Sequence, residues 1–425
     1  MRITVVGGGS TYTPELVEGF ARRAAVLPVD ELVLHDVDPE RLRIVGGLAE
    51  RILRRTGFPG RLVTSTDLPS AVEGASAVLV QLRVGGQRTR LLDETIPNRF
   101  GLIGQETTGA GGFAKALRTV PVVLGIADQV RRLAGPDAWI VDFTNPVGIV
   151  TRQLLDAGHR AIGLCNVGIG VQRRLAGRFG VEPDRVRLGH AGLNHLSWVR
   201  SVQVDGVDRL PELLAGDGAT EWAQELGVPP ELLAALGALP SYYLSYYYCT
   251  DAELRRQLEG EHRAERVLAI ERELLELYTD PALDRQPELL TQRGGAYYSE
   301  AAAALVTSLL TGDGAHHYVN VRNDGLIAGL GHADVVEVAA LVDRDGAHPL
   351  PVPALPPEQL GLVQSATAYE VLAGEAARTG DRSVALRALV ANPLVRQWEP
   401  ARDVLAALLG AHAEHLPLFS ATGAR

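Results

Sequence analysis

Hydrophobic and polar positions follow two different patterns along the first 195 residues. Short continuous apolar runs have the length of buried strands, and the stretches between them repeat apolar residues every three or four positions, as amphipathic helices do. The predicted strands are Ile3–Val6, Leu32–His35, Ala77–Leu82, Trp139–Phe143 and Ala161–Leu164, and the predicted helices include Glu15–Ala25, Pro39–Arg55, Phe113–Leu133 and Val147–Ala157. This alternation predicts an α/β fold with a mostly parallel sheet and helices on both faces.

The pattern changes after residue 195. Strand-like runs at Trp198–Val204, His317–Val321 and Val335–Val338 are mixed with Ala- and Leu-rich helices, predicted at Leu254–Tyr278 and near residues 357–376, 381–391 and 400–412. We therefore predict two domains. Residues 1–195 form a Rossmann-like dinucleotide-binding domain, and residues 196–425 form an α+β domain for substrate binding and oligomerisation.

The first predicted strand leads directly into a glycine-rich turn and a helix start. Such a turn lets bare backbone approach a ligand, and the free N–H groups of the helix favour an anion. Asp36 ends the next strand, where a carboxylate can accept hydrogen bonds from a ribose diol. The candidate nucleotide-binding residues are Gly7, Gly8, Gly9, Ser10, Thr11 and Asp36. Tyr12 stands where the strict motif has its third glycine, and an ordinary strand-to-helix turn is the alternative.

Composition narrows the function classes. The chain has 425 residues, 46% hydrophobic and 22% charged, as in globular proteins. The formal net charge of −10, without a sustained Lys/Arg run, argues against general nucleic-acid binding but allows a local basic pocket. We see no apolar run of the roughly 18 residues that a membrane span needs. Met1 leads straight into the glycine-loop strand without an export leader, so we predict a cytoplasmic location.

Cys165 and His195 are candidate metal ligands. The chain has two cysteines, which do not form a disulfide framework, so Cys165 can remain a thiol or thiolate. Thiolate and imidazole suit Mn, Fe, Co, Ni or Zn better than Mg or Ca. Two protein ligands leave open positions for substrate oxygens. The alternative is a buried cysteine and a core histidine.

Three further segments carry candidate chemistry. The glycine-rich segment Gly104–Gly112 would let backbone approach a sugar or nicotinamide, or it is a surface loop with a helix cap. Residues 241–248 hold five of the eleven tyrosines, one of which could act as a base near a cationic site, while the others form an aromatic helix face or a subunit contact. Guanidinium groups match phosphate geometry, so a set of four arginines could bind a phosphate group. The alternative is that these arginines lie on the surface, as most arginines do. The four are Arg88, Arg90, Arg263 and Arg293.

Taken together, these residues resemble the NAD-dependent glycosidases of glycoside hydrolase family 4, most closely the 6-phospho-β-glucosidase branch. This family departs from the two-carboxylate scheme of most glycosidases. The matching segments keep the family order from residue 2 to about residue 330. They are Val6–Leu16, Ile103–Gly109, Thr144–Pro146, Gly163–Val167, Gly192–Leu196 and Arg293–Gly295. In this family Tyr12 in the glycine loop is an ordinary trait.

The resemblance implies a hydrolysis without net redox. NAD⁺ at the glycine loop would take a hydride from the sugar C3, and Tyr243 would remove the acidified C2 proton. A divalent metal, usually Mn²⁺, on Cys165 and His195 would bind the C2 and C3 oxygens. The C1–oxygen bond would then break, water would add, and NADH would return the hydride. A C2 proton beside a metal-bound ketone is removable at neutral pH, whereas an ordinary one is not.

The resemblance also assigns substrate positions. Arg90, Asn145 and Arg263 match substrate contacts, and Glu106 matches an acidic residue that tunes the base. Asn166 stands where the α-specific branch has an aspartate, and the asparagine favours a β-linked substrate. The resemblance implies that this substrate is a phosphorylated disaccharide or β-glucoside. Gly168 replaces a family proline and is expected to loosen the turn. The family suggests a homodimer or homotetramer. The net charge and the lack of a long apolar run predict that neither nucleic acid nor a membrane is a partner.

Two other function classes remain open from the sequence alone. The glycine loop is also typical of net NAD-dependent dehydrogenases acting on a sugar or a hydroxy acid. A non-catalytic NAD- or sugar-binding regulator is the third reading, although the retained Cys165, His195 and Tyr243 argue against it.

Overall fold

The computed structural model describes residues 1–294 and 297–420. Its strands are β1 (Arg2–Val6), β2 (Glu31–His35), β3 (Arg61–Ser65), β4 (Ala77–Val80), β5 (Trp139–Asp142), β6 (Ala161–Leu164), β7 (Val186–Leu193), β8 (Leu196–Val204), β9 (Val207–Asp208), β10 (Leu239–Pro240), β11 (Ala315–Arg322), β12 (Val335–Asp343) and β13 (Gly346–Pro349). Every strand that the sequence predicts is present. The partly exposed edge strand β3 and the strand β7 were not predicted.

The α-helices follow the strands in the order that the sequence predicts for the first half. They are α1 (Thr13–Arg22), α2 (Pro39–Thr56), α3 (Leu68–Val72), α4 (Gly86–Asn98), α5 (Gly109–Leu133), α6 (Val147–Asp156), α7 (Val167–Phe179), α8 (Leu210–Leu213), α9 (Gly216–Leu226), α10 (Pro230–Leu236), α11 (Ser245–Tyr248), α12 (Thr250–Glu259), α13 (Arg263–Tyr278), α14 (Tyr298–Thr311), α15 (Pro357–Thr379), α16 (Arg382–Ala391), α17 (Trp398–Ala411) and α18 (Pro417–Ser420). Short 3₁₀ turns lie at Pro183–Arg185, Tyr242–Leu244, Glu288–Arg293 and Ala413–His415.

The predicted single helix Leu254–Tyr278 is wrong. The chain forms α12 and α13, separated at Gly260–His262. Gly260 is extended, with φ −112° and ψ 176°, which ends α12. The backbone N–H of His262 donates to Glu265 Oε2 at 3.2 Å, which starts α13. The apolar spacing continues across this break, so periodicity alone does not reveal it.

One sheet runs through the whole molecule. Strands β3-β2-β1-β4-β5-β6 are parallel, in the order of a doubly wound dinucleotide-binding fold. This confirms the predicted α/β fold class. Antiparallel strands then continue the sheet from β6 through β11, β12, β7 and β8 to β10.

The proposed division at residue 195 falls in the turn of the β7–β8 hairpin. Because β11 pairs with β6, the second half of the chain extends the sheet of the first half. The division into residues 1–195 and 196–425 therefore stays a prediction.

Apolar helices cover both faces of the parallel strands. Helices α1, α2, α13 and α14 share one buried core, and α5, α6, α15, α16 and α17 share another. Contrary to the sequence expectation, α5 is long and apolar enough to cross a membrane by length and composition. However, 78% of its most apolar 18-residue stretch is buried inside the protein, as is typical of a core helix.

Candidate active site

The glycine loop joins the end of β1 to the start of α1. The N–H groups of Gly7 and Gly8 both donate to the carbonyl of His35, at 2.9 and 2.7 Å. Gly7 has φ +91°, and a Cβ there would lie 2.4 Å from the carbonyl oxygen of Gln81. Only glycine fits this position. Thr11 Oγ1 is buried without a hydrogen-bond partner among the described residues, so this loop keeps an unused polar group for a ligand.

Asp36 holds the shape of this loop. Its Oδ2 accepts the N–H of Gly9 at 2.8 Å, and its Oδ1 accepts the N–H of Asp38 at 3.1 Å. Each carboxylate oxygen can accept a further hydrogen bond. The structure therefore places Asp36 beside the glycine loop, as the nucleotide-binding prediction requires. Ser10 lies in the same turn, where its Oγ accepts the N–H of Tyr12 at 3.3 Å.

Tyr12 connects the glycine loop to Arg293. The guanidinium of Arg293 lies 4.0 Å from the Tyr12 ring centroid. Arg293 also donates from Nε to Glu271 Oε1 at 3.1 Å, so it is held from both sides. Gly295, the last residue of the motif that begins at Arg293, lies outside the described residues.

The second glycine-rich segment is buried, so the surface-loop alternative is wrong. It leads into α5, and a Cβ on Gly111 would lie 2.3 Å from the carbonyl oxygen of Asp93 on α4. These glycines allow close packing of α5 on α4. Glu106, in this segment, forms an ion pair with Arg83, which lies shortly after β4.

Glu106 lies in a cluster of three cations, which we call the cationic cluster: Arg83, Arg90 and Lys115 around Glu106. Lys115 Nζ donates to Glu106 Oε2 at 2.7 Å, Arg90 Nε lies 3.2 Å from Oε1, and Arg83 forms a two-pronged ion pair with the same carboxylate. Burial favours the neutral form of Glu106, but the three cations stabilise its anion more strongly and hold its pKa well below the usual range. Glu106 is therefore a permanent anion.

We did not predict a functional role for Lys115 from the sequence, although the composition of the chain singles this residue out. It is the only lysine among 41 basic residues. It is 2% exposed, and burial, with the nearby Arg83, lowers its pKa to about 7. A lysine can lose its proton near neutrality, whereas an arginine cannot.

The proposed metal ligands come from two strand ends. Cys165 follows β6, and His195 forms the turn between β7 and β8. His195 has φ +63°, an uncommon conformation for a residue with a side chain. Its Nδ1 lies 3.0 Å from Thr107 Oγ1. Burial lowers the pKa of His195 to about 4, so the ring is neutral and able to bind a metal.

Tyr243 lies directly on His195. The two rings stack with centroids 3.6 Å apart and an angle of 14°. Burial, with the neighbouring Tyr242 and Cys165, raises the pKa of Tyr243 well above its usual value. The positive charge of Arg90 interacts with Tyr243 and favours its anion. A divalent cation beside this phenol would act in the same direction.

A second buried carboxylate stands behind the metal ligands. We call it the Glu337 cluster: His190, Asn194 and Asn320 around Glu337. Glu337 accepts from Asn194 Nδ2 at 2.9 Å and from Asn320 Nδ2 at 3.2 Å, and lies 2.7 Å from His190 Nε2. Burial is the largest cause that raises the pKa of Cys165, and the charge of Glu337 raises it further. The same charge raises the pKa of His195 against the larger, opposite effect of burial. A negative charge next to a thiol and an imidazole favours a bound cation.

These features fit a two-ligand metal site with open positions. Within residues 1–294 and 297–420, no group of three or more His, Cys, Asp and Glu side chains is arranged to hold a metal ion, so the protein would supply two ligands at most from these residue types. Burial raises the pKa of Cys165, so its thiol is protonated until a metal displaces the proton. The donor set of Cys165 and His195 suits a transition metal.

The predicted substrate contacts line the same rim. Asn145 follows β5, and its Oδ1 is buried without a hydrogen-bond partner among the described residues. Asn166 follows Cys165, whose Sγ lies 3.9 Å from Asn166 Oδ1. Arg263 begins α13, and its Nη2 donates to the carbonyl of Arg293 at 2.9 Å. The unused oxygen of Asn145 is the clearest sign of an absent ligand.

Gly168 does not loosen the turn, contrary to the sequence expectation. It is the second residue of α7, and a Cβ there would lie 2.5 Å from Cγ of Tyr318. The Tyr318 ring occupies the space that any side chain at position 168 would need. Glycine at this position therefore permits a close contact between α7 and β11.

The strand order, the glycine loop and the carboxylate at the end of β2 define a dinucleotide-binding α/β protein. The model of the family 4 glycosyl hydrolases matches residues 2–181, and the model of the family 4 glycosyl hydrolase C-terminal domain matches residues 190–395. The chain belongs to the family 4 glycosyl hydrolases.

Several relatives share most of their length with this chain. The 6-phospho-beta-glucosidase of Escherichia coli (strain K12) is 36% identical over 99% of this chain and 97% of its own length. The 6-phospho-beta glucosidase of Thermotoga maritima, solved with NAD and glucose-6-phosphate, is 36% identical with a TM-score of 0.90, covering 98% of this chain and 99% of that one. Another structure of that enzyme, at 35% identity, with a TM-score of 0.89 and the same coverage, contains manganese, NAD⁺ and glucose-6-phosphate.

Proposed function

We propose that this protein hydrolyses 6-phospho-β-glucosides without net oxidation, with NAD and Mn²⁺, or another divalent transition metal, as cofactors. One observation carries the proposal: Tyr243 stacks on His195 at 3.6 Å between ring centroids. This contact brings the proposed base beside a proposed metal ligand. The relatives crystallised with NAD, manganese and glucose-6-phosphate support the cofactor assignment.

Each residue has a proposed role. When bound, NAD supplies a reversible oxidation at the sugar C3, and the metal supplies Lewis-acid polarisation of the neighbouring oxygens. Gly7–Gly9 and Asp36 would hold the nucleotide, and Cys165 and His195 would hold the metal. Tyr243 accepts the C2 proton, and the charge of Arg90 stabilises the phenolate that does so.

The remaining polar residues orient the substrate. Asn145 offers its unpartnered Oδ1 to a sugar hydroxyl. Arg90 and Arg263 bind anionic or hydroxyl oxygens of the substrate, and Glu106 keeps Arg90 in place. Asn166, in place of an aspartate, supports a β-linked substrate.

The cellular setting is part of the proposal. The substrate is a phosphorylated disaccharide or β-glucoside of the cytoplasm, and the enzyme acts as a homodimer or homotetramer. Neither nucleic acid nor a membrane surface is a partner.

A coupled assay tests this function. The enzyme is incubated with Mn²⁺, reductant and catalytic NAD⁺ on a chromogenic 6-phospho-β-glucoside, and aglycone release and NADH absorbance are followed together. Many turnovers without NADH accumulation are expected. NADH formed in stoichiometric amounts would instead identify a net dehydrogenase, and the absence of both signals would identify a binding protein.

A further inference from the structure

Glu94 lies one helical turn after Arg90 on α4. Arg90 Nε donates to Glu94 Oε1 at 2.8 Å, and the two side chains are 9% and 6% exposed. A charge-assisted hydrogen bond in such a buried place fixes the guanidinium strongly. The second anchor of Arg90, Glu106 at 3.2 Å, lies on a separate segment. Arg90 is thus held between two carboxylates.

The other oxygen of Glu94 reaches a different part of the chain. Glu94 Oε2 accepts the backbone N–H of Ala264 at 2.8 Å, across 170 residues of sequence. Ala264 is the second residue of α13, and Arg263 is the first. A carboxylate at a helix N-terminus satisfies a free N–H and interacts favourably with the helix dipole. Glu94 therefore holds the first turn of α13, whose start His262 and Glu265 set, and with it the backbone that carries Arg263.

We infer that Glu94 is a positioning residue that couples the two proposed substrate-binding arginines, Arg90 and Arg263, through the two oxygens of one carboxylate. The inference rests on the proposed function, because it takes both arginines as substrate contacts. It assigns to Glu94 a role that neither the sequence motifs nor the cationic cluster suggest. The predicted consequence is that Arg90 and Arg263 act as a unit.

The competing explanation is that Glu94 only stabilises the fold. A substitution at the neighbouring residue, Asp93, distinguishes the two explanations. Asp93 forms an ion pair with Arg118, and both side chains are 0% exposed. This pair is more deeply buried than the pair of Glu94 with Arg90, and Asp93 hydrogen-bonds to neither substrate arginine. Asp93→Asn is therefore a matched control, because it breaks a buried ion pair on the same helix without releasing Arg90 or Arg263.

The first experiment compares Glu94→Gln with Asp93→Asn. The glutamine carbonyl can still accept from Ala264 or from Arg90, but not from both in the native geometry. We expect Glu94→Gln to raise KM for the chromogenic 6-phospho-β-glucoside, and Kd for glucose 6-phosphate, by about tenfold or more, with kcat changed about threefold at most. Asp93→Asn should lower Tm at least as much while leaving KM and Kd within about twofold.

The second experiment tests the coupling itself. Arg263→Ala should weaken glucose 6-phosphate binding strongly in the wild-type background, but by less than about threefold in the Glu94→Gln background. Independent, multiplicative effects, or an unchanged Kd in Glu94→Gln, would overturn the inference. If Glu94→Gln does not fold, Glu94→Asp takes its place, because it keeps the charge but withdraws both oxygens by one methylene.

The two proposals fail in different ways. A wild-type protein that binds glucose 6-phosphate but does not release aglycone contradicts the proposed function, while the Kd measurements still decide on Glu94. A wild-type protein that hydrolyses the glucoside, with additive variants, contradicts only the role of Glu94. A wild-type protein that does not bind glucose 6-phosphate overturns both.

Discussion

Two of the buried carboxylates of the site, Glu106 and Glu337, have opposite surroundings. Glu106 is held by three cations, so the cationic cluster is positive as a whole. Glu337 is held by an imidazole and two amides, and these hydrogen bonds outweigh burial and lower its pKa, so Glu337 itself carries a negative charge. Arg90 belongs to the cationic cluster, which we call the positive side of the site. The Glu337 cluster, which lies behind Cys165 and His195, is the negative side.

This difference gives one site both a positive region and a negative region. A phosphorylated, oxygen-rich substrate is attracted to the positive side, and a divalent cation is attracted to the negative side. Tyr243 lies between them, because it stacks on His195 and interacts with the charge of Arg90. The site can thus hold an anion and a cation side by side without neutralising either cluster.

The largest expected effect is on proton transfer by Tyr243. Tyr243→Phe should slow exchange of the substrate C2 proton with solvent by about 10²- to 10⁴-fold, the usual contribution of a general base. Deuterium incorporation from D₂O, read by mass spectrometry, measures it. Tyr246→Phe is the control and should exchange normally. Unchanged exchange in Tyr243→Phe would move the base elsewhere in the tyrosine cluster.

The second largest expected effect is the loss of folding stability when each carboxylate is neutralised, which should differ between Glu106 and Glu337. Glu106→Gln leaves Arg83 and Lys115 without their anion, while Arg90 keeps Glu94, and it is expected to lower the free energy of unfolding by about 3 to 5 kcal/mol. Glu337→Gln should cost less than about 2 kcal/mol, because two of its partners are neutral amides. Urea unfolding measures both. Equal losses would show that the surroundings of the two carboxylates do not differ as described.

Metal affinity should show the reverse order. Glu337→Gln removes the negative charge behind Cys165 and His195 and should weaken Mn²⁺ binding by about 10- to 100-fold. Glu106→Gln should change it by less than about threefold, since Glu106 is already surrounded by cations. The EPR signal of free Mn²⁺ gives both constants. A larger effect of Glu106→Gln would reverse the assignment of the metal side.

The smallest expected effect concerns the charge of Lys115. Its pKa is about 7 in the folded protein, lowered first by burial, against an ordinary value of 10.5. The unfolded chain therefore binds more protons between these values, so stability should rise with pH across this window. The slope contributed by Lys115 is at most about 1.4 kcal/mol per pH unit.

Lys115→Met and Lys115→Arg test this slope. Neither side chain releases a proton in the window, so both variants should lose the rise. Urea unfolding at pH 7, 8 and 9 measures it. Parallel curves for wild type and Lys115→Met would show that the ammonium keeps its charge beside Glu106.

The rim of the parallel sheet was predictable because each polar residue lies within three residues of the end of its own strand. Asp36, Asn145 and Cys165 all lie where the strand pattern places them, and parallel strands bring their ends to one edge. The glycine loop follows from the same local signals, whereas the order of the strands was not predicted. Cys165 and His195 were candidate metal ligands from their own chemistry, but the base and the substrate contacts came from the family resemblance.

The two charge clusters could not be predicted in this way. Glu337 lies on β12 and meets Asn194 across 143 residues, and Glu94 meets Ala264 across 170. Contacts at such separations depend on how the antiparallel strands and α13 pack, which local patterns do not encode. Lys115 is an exception, since its being the only lysine was visible in the sequence.

The pairing of β11 with β6 has a mechanical consequence. Val319 and Asn320 are hydrogen-bonded in register with Leu164 and Gly163, immediately before Cys165. A hinge between the glycine loop and Cys165 would have to break these buried backbone bonds, so the continuous sheet opposes such a hinge. We therefore expect any opening of the site to come from segments off the sheet, such as the tyrosine segment and the start of α13.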